Sequence, residues 1–249
     1  ISTGGTNNSG TYSSAIGFQT SAVGDYSTAM GYNTTSSASY CTAMGYATTA
    51  SGSTSTAMGV NTTASGDGST SLGNQTIASA NNSSAMGAST TASGEVSTAM
   101  GYATTANGST STSMGLSTTA NGEVSTAMGL GTTANGSVSV AMGRNTTASD
   151  YGSLVIGQYN SSGSTTTTSS TAFNTSNTAF VIGNGTLGNL SDAFKVMFNG
   201  DASVSNNLTV IGDLEVQSDA RLKSNIVSLG PTLSNCLLYT SDAADERHC

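Results

Sequence analysis

The sequence predicts an all-β fold, a solenoid wound from coils of 14 residues, and three observations lead to it. First, the glycines Gly17, Gly31, Gly45, Gly59, Gly73, Gly87, Gly101, Gly115, Gly129, Gly143 and Gly157 stand 14 residues apart without a slip. Second, the columns around these anchors keep their identity. The residue before each anchor is apolar, and mostly Met. Three after each of the first ten comes Thr, five after comes Ala with Ser36 the exception, and seven after comes a second Gly except at Ala38, Ala80 and Asp150. Third, the residue types are wrong for helix. Gly every seven residues and Thr-Thr pairs are poor helix material, which removes the reading of the period as two coiled-coil heptads. In Ser97-Thr98-Ala99-Met100-Gly101 and Thr104-Thr105-Ala106, small or apolar residues alternate with hydroxyl residues at the period of a strand.

One repeat is then one coil of two short strands, with each Gly expected to supply the backbone freedom of a tight corner. Coils stack at about 4.8 Å, so ten intervals predict a rod of roughly 48 Å. A coil this thin is expected to hold Met, Ala and a few Val inside. That is a meagre core, so the chains are expected to associate and bury a second apolar face. Phe18, Tyr32, Tyr46, Val60, Tyr102, Leu116 and Leu130, each just after an anchor, fit either that contact or simple exposure at a corner.

Composition narrows the function classes. The chain has 249 residues, of which 7% are charged, against roughly 25% in an ordinary soluble domain. There are 38 Ile, Leu, Val and Phe residues, one Pro and no Trp. By composition alone such a chain reads as disordered, because it buries little apolar surface against its ordering entropy. It also argues against a conventional α/β enzyme with a Leu/Val-rich core. A net charge of −8 disfavours nucleic acid as a partner, since phosphate binding needs clustered Lys and Arg. No apolar run approaches a membrane span, so no membrane insertion is expected. The opening residues do not read as a signal peptide, and the chain opens on Ile1, so residues 1–10 are expected to be an incomplete lead-in whose start is missing.

The unit Ser97–Ser109, STAMGYATTANGS, resembles the head repeat of trimeric autotransporter adhesins, the YadA-like left-handed parallel β-roll. That unit also has an apolar-Gly step, small residues and a second Gly every 14 residues, and the likeness covers residues 11–160. The resemblance implies a homotrimer of β-rolls. The departure is Met where that family more often has Ile or Val, a variant that adaptable Met packing tolerates.

Beyond Gly157 the period fails. Residues 161–179 are rich in Ser and Thr and read as a connector. Residues 180–217 read as a β-rich stem, with strands at Phe180-Val181-Ile182, Phe194–Phe198 and Leu208–Ile211 between Gly-Asn and Asn-Gly turn signals. Ser218–Ile226, SDARLKSNI, resembles the opening of the self-cleaving intramolecular chaperone domain of phage tail spikes and fibres. The resemblance implies that Ser218 is the nucleophile, Lys223 its base, and the cut falls between Gln217 and Ser218. A serine hydroxyl needs a partner to take its proton, and a buried, uncharged lysine can do so. Cys236–Glu246, CLLYTSDAADE, resembles a translated sequencing-library adapter, so residues 236–249 are set aside. A chaperone core needs on the order of a hundred residues. Residues 218–235 are therefore expected to be its truncated start, and this chain is expected not to be an enzyme.

Setting the tail aside removes His248, Cys236 and Cys249, leaving Cys41 with no disulfide partner and no zinc spacing. The Gly24-Asp25, Gly66-Asp67, Gly94-Glu95 and Gly122-Glu123 steps lack the Gly-Gly-x-Gly-x-Asp calcium unit and read as solvated corners. No cofactor and no metal are expected. The function expected is structural and adhesive. The chain reads as part of a phage tail fibre or spike on the virion, partnering itself as a homotrimer and contacting a host-surface receptor such as a glycan. One alternative is the head of a bacterial trimeric autotransporter adhesin at the cell surface. That family should end in a coiled-coil stalk and a membrane β-barrel, and the motif at Ser218 argues against it. The other is an ice-binding solenoid, in which the Thr-Thr pairs from Thr34-Thr35 to Thr146-Thr147 form a ladder. Neighbouring residues on a strand face opposite sides, so only one Thr of each pair can join it.

Overall fold

A computed structural model describes residues 5–161 and 169–211, and every regular element in them is a strand. Each coil contributes one strand of five residues and one of two. The long strands run from Ser14–Phe18 to Leu154–Gln158, the short ones from Asn7–Asn8 to Thr147–Ala148. They stack in sequence order into two parallel sheets, so the fold is the expected β-solenoid, of about eleven turns. The register equals the sequence period. Thr98, Ala99, Met100, Gly101 and Tyr102 lie opposite Thr112, Ser113, Met114, Gly115 and Leu116, and every column becomes a straight file along the axis.

What fills the coil is smaller than the sequence suggests. The core is Ala, Ser, Thr and Gly, from Ala22, Ala29 and Thr34 through Ala148 and Val155, all buried. The Met column is not inside, which corrects the expectation drawn from residue size. In Thr98-Ala99-Met100 it is Ala99 that points inward, and Thr98 and Met100 flank it on the outer face. A coil closed by strands of five and two residues has no cross-section for Met, and strand alternation sends it outward. Ser replaces the inward Ala at two positions and meets the facing Thr of its own coil, Ser71 at 2.7 Å from Thr76 and Ser113 at 2.8 Å from Thr118. Ser36 and Cys41 are a second coupled departure, with hydroxyl and thiol 2.8 Å apart and both buried.

The anchor glycines lie within the long strands, not at the corners. Gly101 has φ +128°, and a Cβ there would stand 2.0 Å from the carbonyl oxygen of Gly115. The second Gly column has the close approach without a positive φ. Gly108, for example, would place a Cβ 1.9 Å from the Gly122 oxygen. That difference explains why the anchor column never varies while the second admits Ala38, Ala80 and Asp150. The corners themselves use non-glycine residues in the left-handed region. Tyr26, Tyr40, Val96, Val124 and Val138 occupy one such file at φ 56–60°, and Asn33, Ala47 and Asn61 belong to the other at φ 51–53°. A β-branched residue is strained there, costing about 1–2 kcal/mol. Asn82 holds the same corner at φ 55°. Val124→Asn is therefore expected to raise stability by about 1 kcal/mol, read as a higher urea midpoint at unchanged slope.

The solenoid does not stop where the period does. Strand Thr178–Asn184 adds parallel to Leu154–Gln158 with Gly183 opposite Gly157 and Ile182 opposite Ile156, a further rung reached after an insertion. Asp192–Met197 and then Ala202–Val204 close the long sheet antiparallel. Two residues that look like lapses of the repeat finish this end. Asp150, buried, accepts the N–H of Thr178 at 2.7 Å. Asn160 accepts the N–H of Thr147 at 2.7 Å and donates to its carbonyl at 3.1 Å, so a side-chain amide stands in for the next strand of the short sheet. By contacts the chain divides into two compact units, Ile1–Asn207 and Leu208–Cys249. Of the second only 208–211 are described. They form no strand, contrary to expectation; the strand formed in that region is Ala202–Val204.

Candidate adhesive and self-association surfaces

Three surfaces follow from strand alternation and the corner geometry. The outer face of the long sheet carries, side by side, the Thr file (Thr98, Thr112, Thr126) and the Met file, with a third file at the strand ends. The Met file runs from Ile16 to Ile156. In a single chain Ile16 is 46%, Met58 41% and Met142 40% exposed, and the others are half-buried. A continuous apolar stripe along one face of a chain with so little apolar core is the most conspicuous surface feature. The strand-end file holds Phe18, Tyr32 and Tyr46, then Val60, Tyr102, Leu116 and Leu130, all exposed on the same outer face as Met.

The second surface is a corner. Tyr12, Tyr26 and Tyr40 stack with ring centroids 5.2 and 5.0 Å apart, while Phe18, Tyr32 and Tyr46 form a parallel stack at 5.4 and 5.2 Å. Both ladders lie in the same few coils and the rings copy the rung spacing. Next to the Tyr corner, the acidic steps act as backbone caps. Asp25 accepts the N–H of Thr11 and Asp67 that of Ser53, each at 2.8 Å. Among the described residues no group of three or more His, Cys, Asp or Glu is placed to hold a metal ion. At the start of that same corner, in later coils, Ser93 donates to Asn107, Asn107 to Asn121 and Asn121 to Asn135, at 2.7–2.8 Å. This asparagine ladder ties coils together, and its sequence signal is the run of Asn at the column before the second Gly.

The third surface is the short sheet. Each Thr-Thr pair is split, with Thr104 buried and Thr105 outward. The strands are two residues wide, and the outward file begins at Ser21 and is broken by Ile77. It offers a single rank of hydroxyls.

Ser218 and Lys223 lie outside the described residues. Cys41 is buried against Ser36. No helix among the described residues is long and apolar enough to cross a membrane. The sequence reading missed the outward turn of Met, the Asp150 and Asn160 caps and the aromatic stacking. Only the last was directly visible in the sequence, as Tyr recurring at 12, 26 and 40 and an aromatic at 18, 32 and 46.

No curated protein matches the chain. The family model for the YadA head domain repeat matches residues 9–34, then 42–62, 50–76, 64–90, 78–104, 92–118, 106–132, 120–146 and 134–160. From 50–76 onward the windows step by one coil, and the gap at 35–41 falls where Ser36, Ala38 and Cys41 depart from the repeat. The matches cover more than half of the chain, which therefore belongs to the family of proteins built on the YadA head domain repeat.

Proposed function

We propose that this chain is a surface adhesin that assembles as a homotrimer through the outer face of its long sheet and contacts a host-surface receptor. The observation that carries the proposal is the Met stripe, an apolar file from Ile16 to Ile156 turned away from the core of its own chain. Burying such a stripe against copies of itself is the route by which a solenoid with an Ala core acquires a large apolar interior. Membership of the YadA head repeat family supports the adhesive reading. The mass of the full chain by light scattering tests it. Three chains per particle are expected, and a single-chain mass overturns the assembly.

The location we propose is a phage tail fibre or spike. It rests on the likeness of SDARLKSNI at Ser218–Ile226 to the start of a self-cleaving chaperone. In a chain continued through that whole domain, Ser218 would attack the bond after Gln217, with Lys223 taking its proton. Such a chain is expected to be recovered cut before Ser218 and to stay intact as Ser218→Ala. Intact protein with the serine present would favour the bacterial cell surface instead.

A further inference from the structure

The corner ladder of tyrosines has a chemistry of its own. Tyr26 and Tyr40 sit one coil apart at left-handed corners, φ 57° and 60°, where the backbone projects each side chain away from the core. Neither residue can slide along the axis, because the Tyr26 N–H donates to the Thr11 carbonyl at 2.8 Å and the Tyr40 N–H to that of Asp25 at 2.9 Å. The rings therefore lie parallel, 1° from coplanar orientation, with centroids 5.0 Å apart. They are 51% and 60% exposed, so a reagent in solution reaches both. Tyr32 and Tyr46 repeat the arrangement at the strand ends, 5.2 Å apart and 5° from parallel.

We infer that Tyr26 and Tyr40 form an oxidative cross-linking site, coupled into a dityrosine staple between neighbouring coils by hydrogen peroxide and a haem peroxidase. Each phenol gives up one electron and one proton. The two phenoxyl radicals, whose unpaired spin extends to the ring carbons beside the oxygen, form one carbon–carbon bond between those carbons. The hydrogens on the two bonded carbons then move to the phenol oxygens and restore both rings. Peroxide accepts the two electrons and two protons and leaves as two waters. The fold contributes proximity, since partners held face to face couple without a diffusional encounter. Tyr102 is the internal control. Its file neighbours are Ala88 and Leu116, so it has no phenol within one coil. Phe18 stacks on Tyr32 but has no phenol to oxidise.

The experiment treats the full chain with peroxidase and peroxide. It reads dityrosine fluorescence after denaturing electrophoresis and identifies linked peptides by mass spectrometry after pepsin digestion. The expected result is fluorescence on the single-chain band, with linked peptides that join Tyr26 to Tyr40. The double variant Tyr26→Phe/Tyr32→Phe keeps every ring stack but removes every stacked pair of phenols. Its single-chain fluorescence is expected to fall to the unoxidised background, although seven of the nine tyrosines remain. The site is overturned if the double variant couples like the parent, if dityrosine appears only in bands of several chains, or if none forms. The linked peptides of the parent protein decide the matter even if the variant folds poorly.

Discussion

Gly101→Ala is expected to be among the most damaging single substitutions in the solenoid, costing about 3 kcal/mol or more, because it combines two faults that usually occur apart. Alanine is strained at φ +128°, and its Cβ would lie 2.0 Å from the Gly115 carbonyl oxygen, a backbone atom held in the rung ladder. Neither strand can move without breaking the pairing of Met100 with Met114 and of Tyr102 with Leu116. Coils contact only their neighbours, so the damage should be local first, with amide protection lost around residues 98–116 before the rest of the array melts. Gly131→Ala is the contrast. There φ is +65°, and the nearest atom a Cβ would meet is the Asn145 side-chain oxygen, which can swing aside. The same file holds Ala47 and Ala103 at φ 51° and 52°. A loss no larger than about 1 kcal/mol is expected, and equal losses at the two sites would contradict the steric account.

The second large effect is on assembly. Met86 and Met114 lie two coils apart in the outward stripe, so Met86→Glu/Met114→Glu adds two carboxylates to the proposed shared face without setting them against each other in one chain. Burying unpaired charge costs several kcal/mol per group, so association should weaken by about a thousandfold or more. The coil core of Ala, Ser and Thr is untouched. The strand signal in circular dichroism should therefore persist while the scattering mass falls to one chain.

The parts of this fold that could be read from the sequence are those that parallel in-register stacking copies. Gly17 pairs with Gly31, Met30 with Met44, Thr35 with Thr49, so a straight column in the sequence is a straight file in space. Parity was harder. In Thr-Ala-Met-Gly-Tyr either alternating set could face inward, and ordinary hydrophobic ranking chooses Met, whereas the narrow coil takes Ala, replaced only by Ser71, Ser113 and, at the last periodic coil, Val155. The role of the anchor glycine was misread for a related reason. A 14-residue Gly suggests a corner, but the constraint is a carbonyl oxygen one coil away, which no local pattern reveals. The last rung is hidden by its insertion, although Val181-Ile182-Gly183 repeats the Val155-Ile156-Gly157 step letter for letter. Asp150 and Asn160 appear as breaks in the repeat because they finish its end: Asp150 accepts from Thr178, which lies beyond the periodic coils, and Asn160 binds Thr147 where in the middle of the array the next coil would pair.

The central claim is that the Met file faces outward and is covered by other copies of the chain. The rate at which peroxide converts methionine to sulfoxide tests it most directly, measured residue by residue on the parent and on Met86→Glu/Met114→Glu. The account predicts slow oxidation of Met30, Met44, Met58, Met100, Met128 and Met142 in the assembled parent and fast oxidation of the same residues in the dissociated variant. Slow oxidation in both would place methionine inside the coil. Fast oxidation in both would leave the stripe uncovered, and either result would contradict the claim.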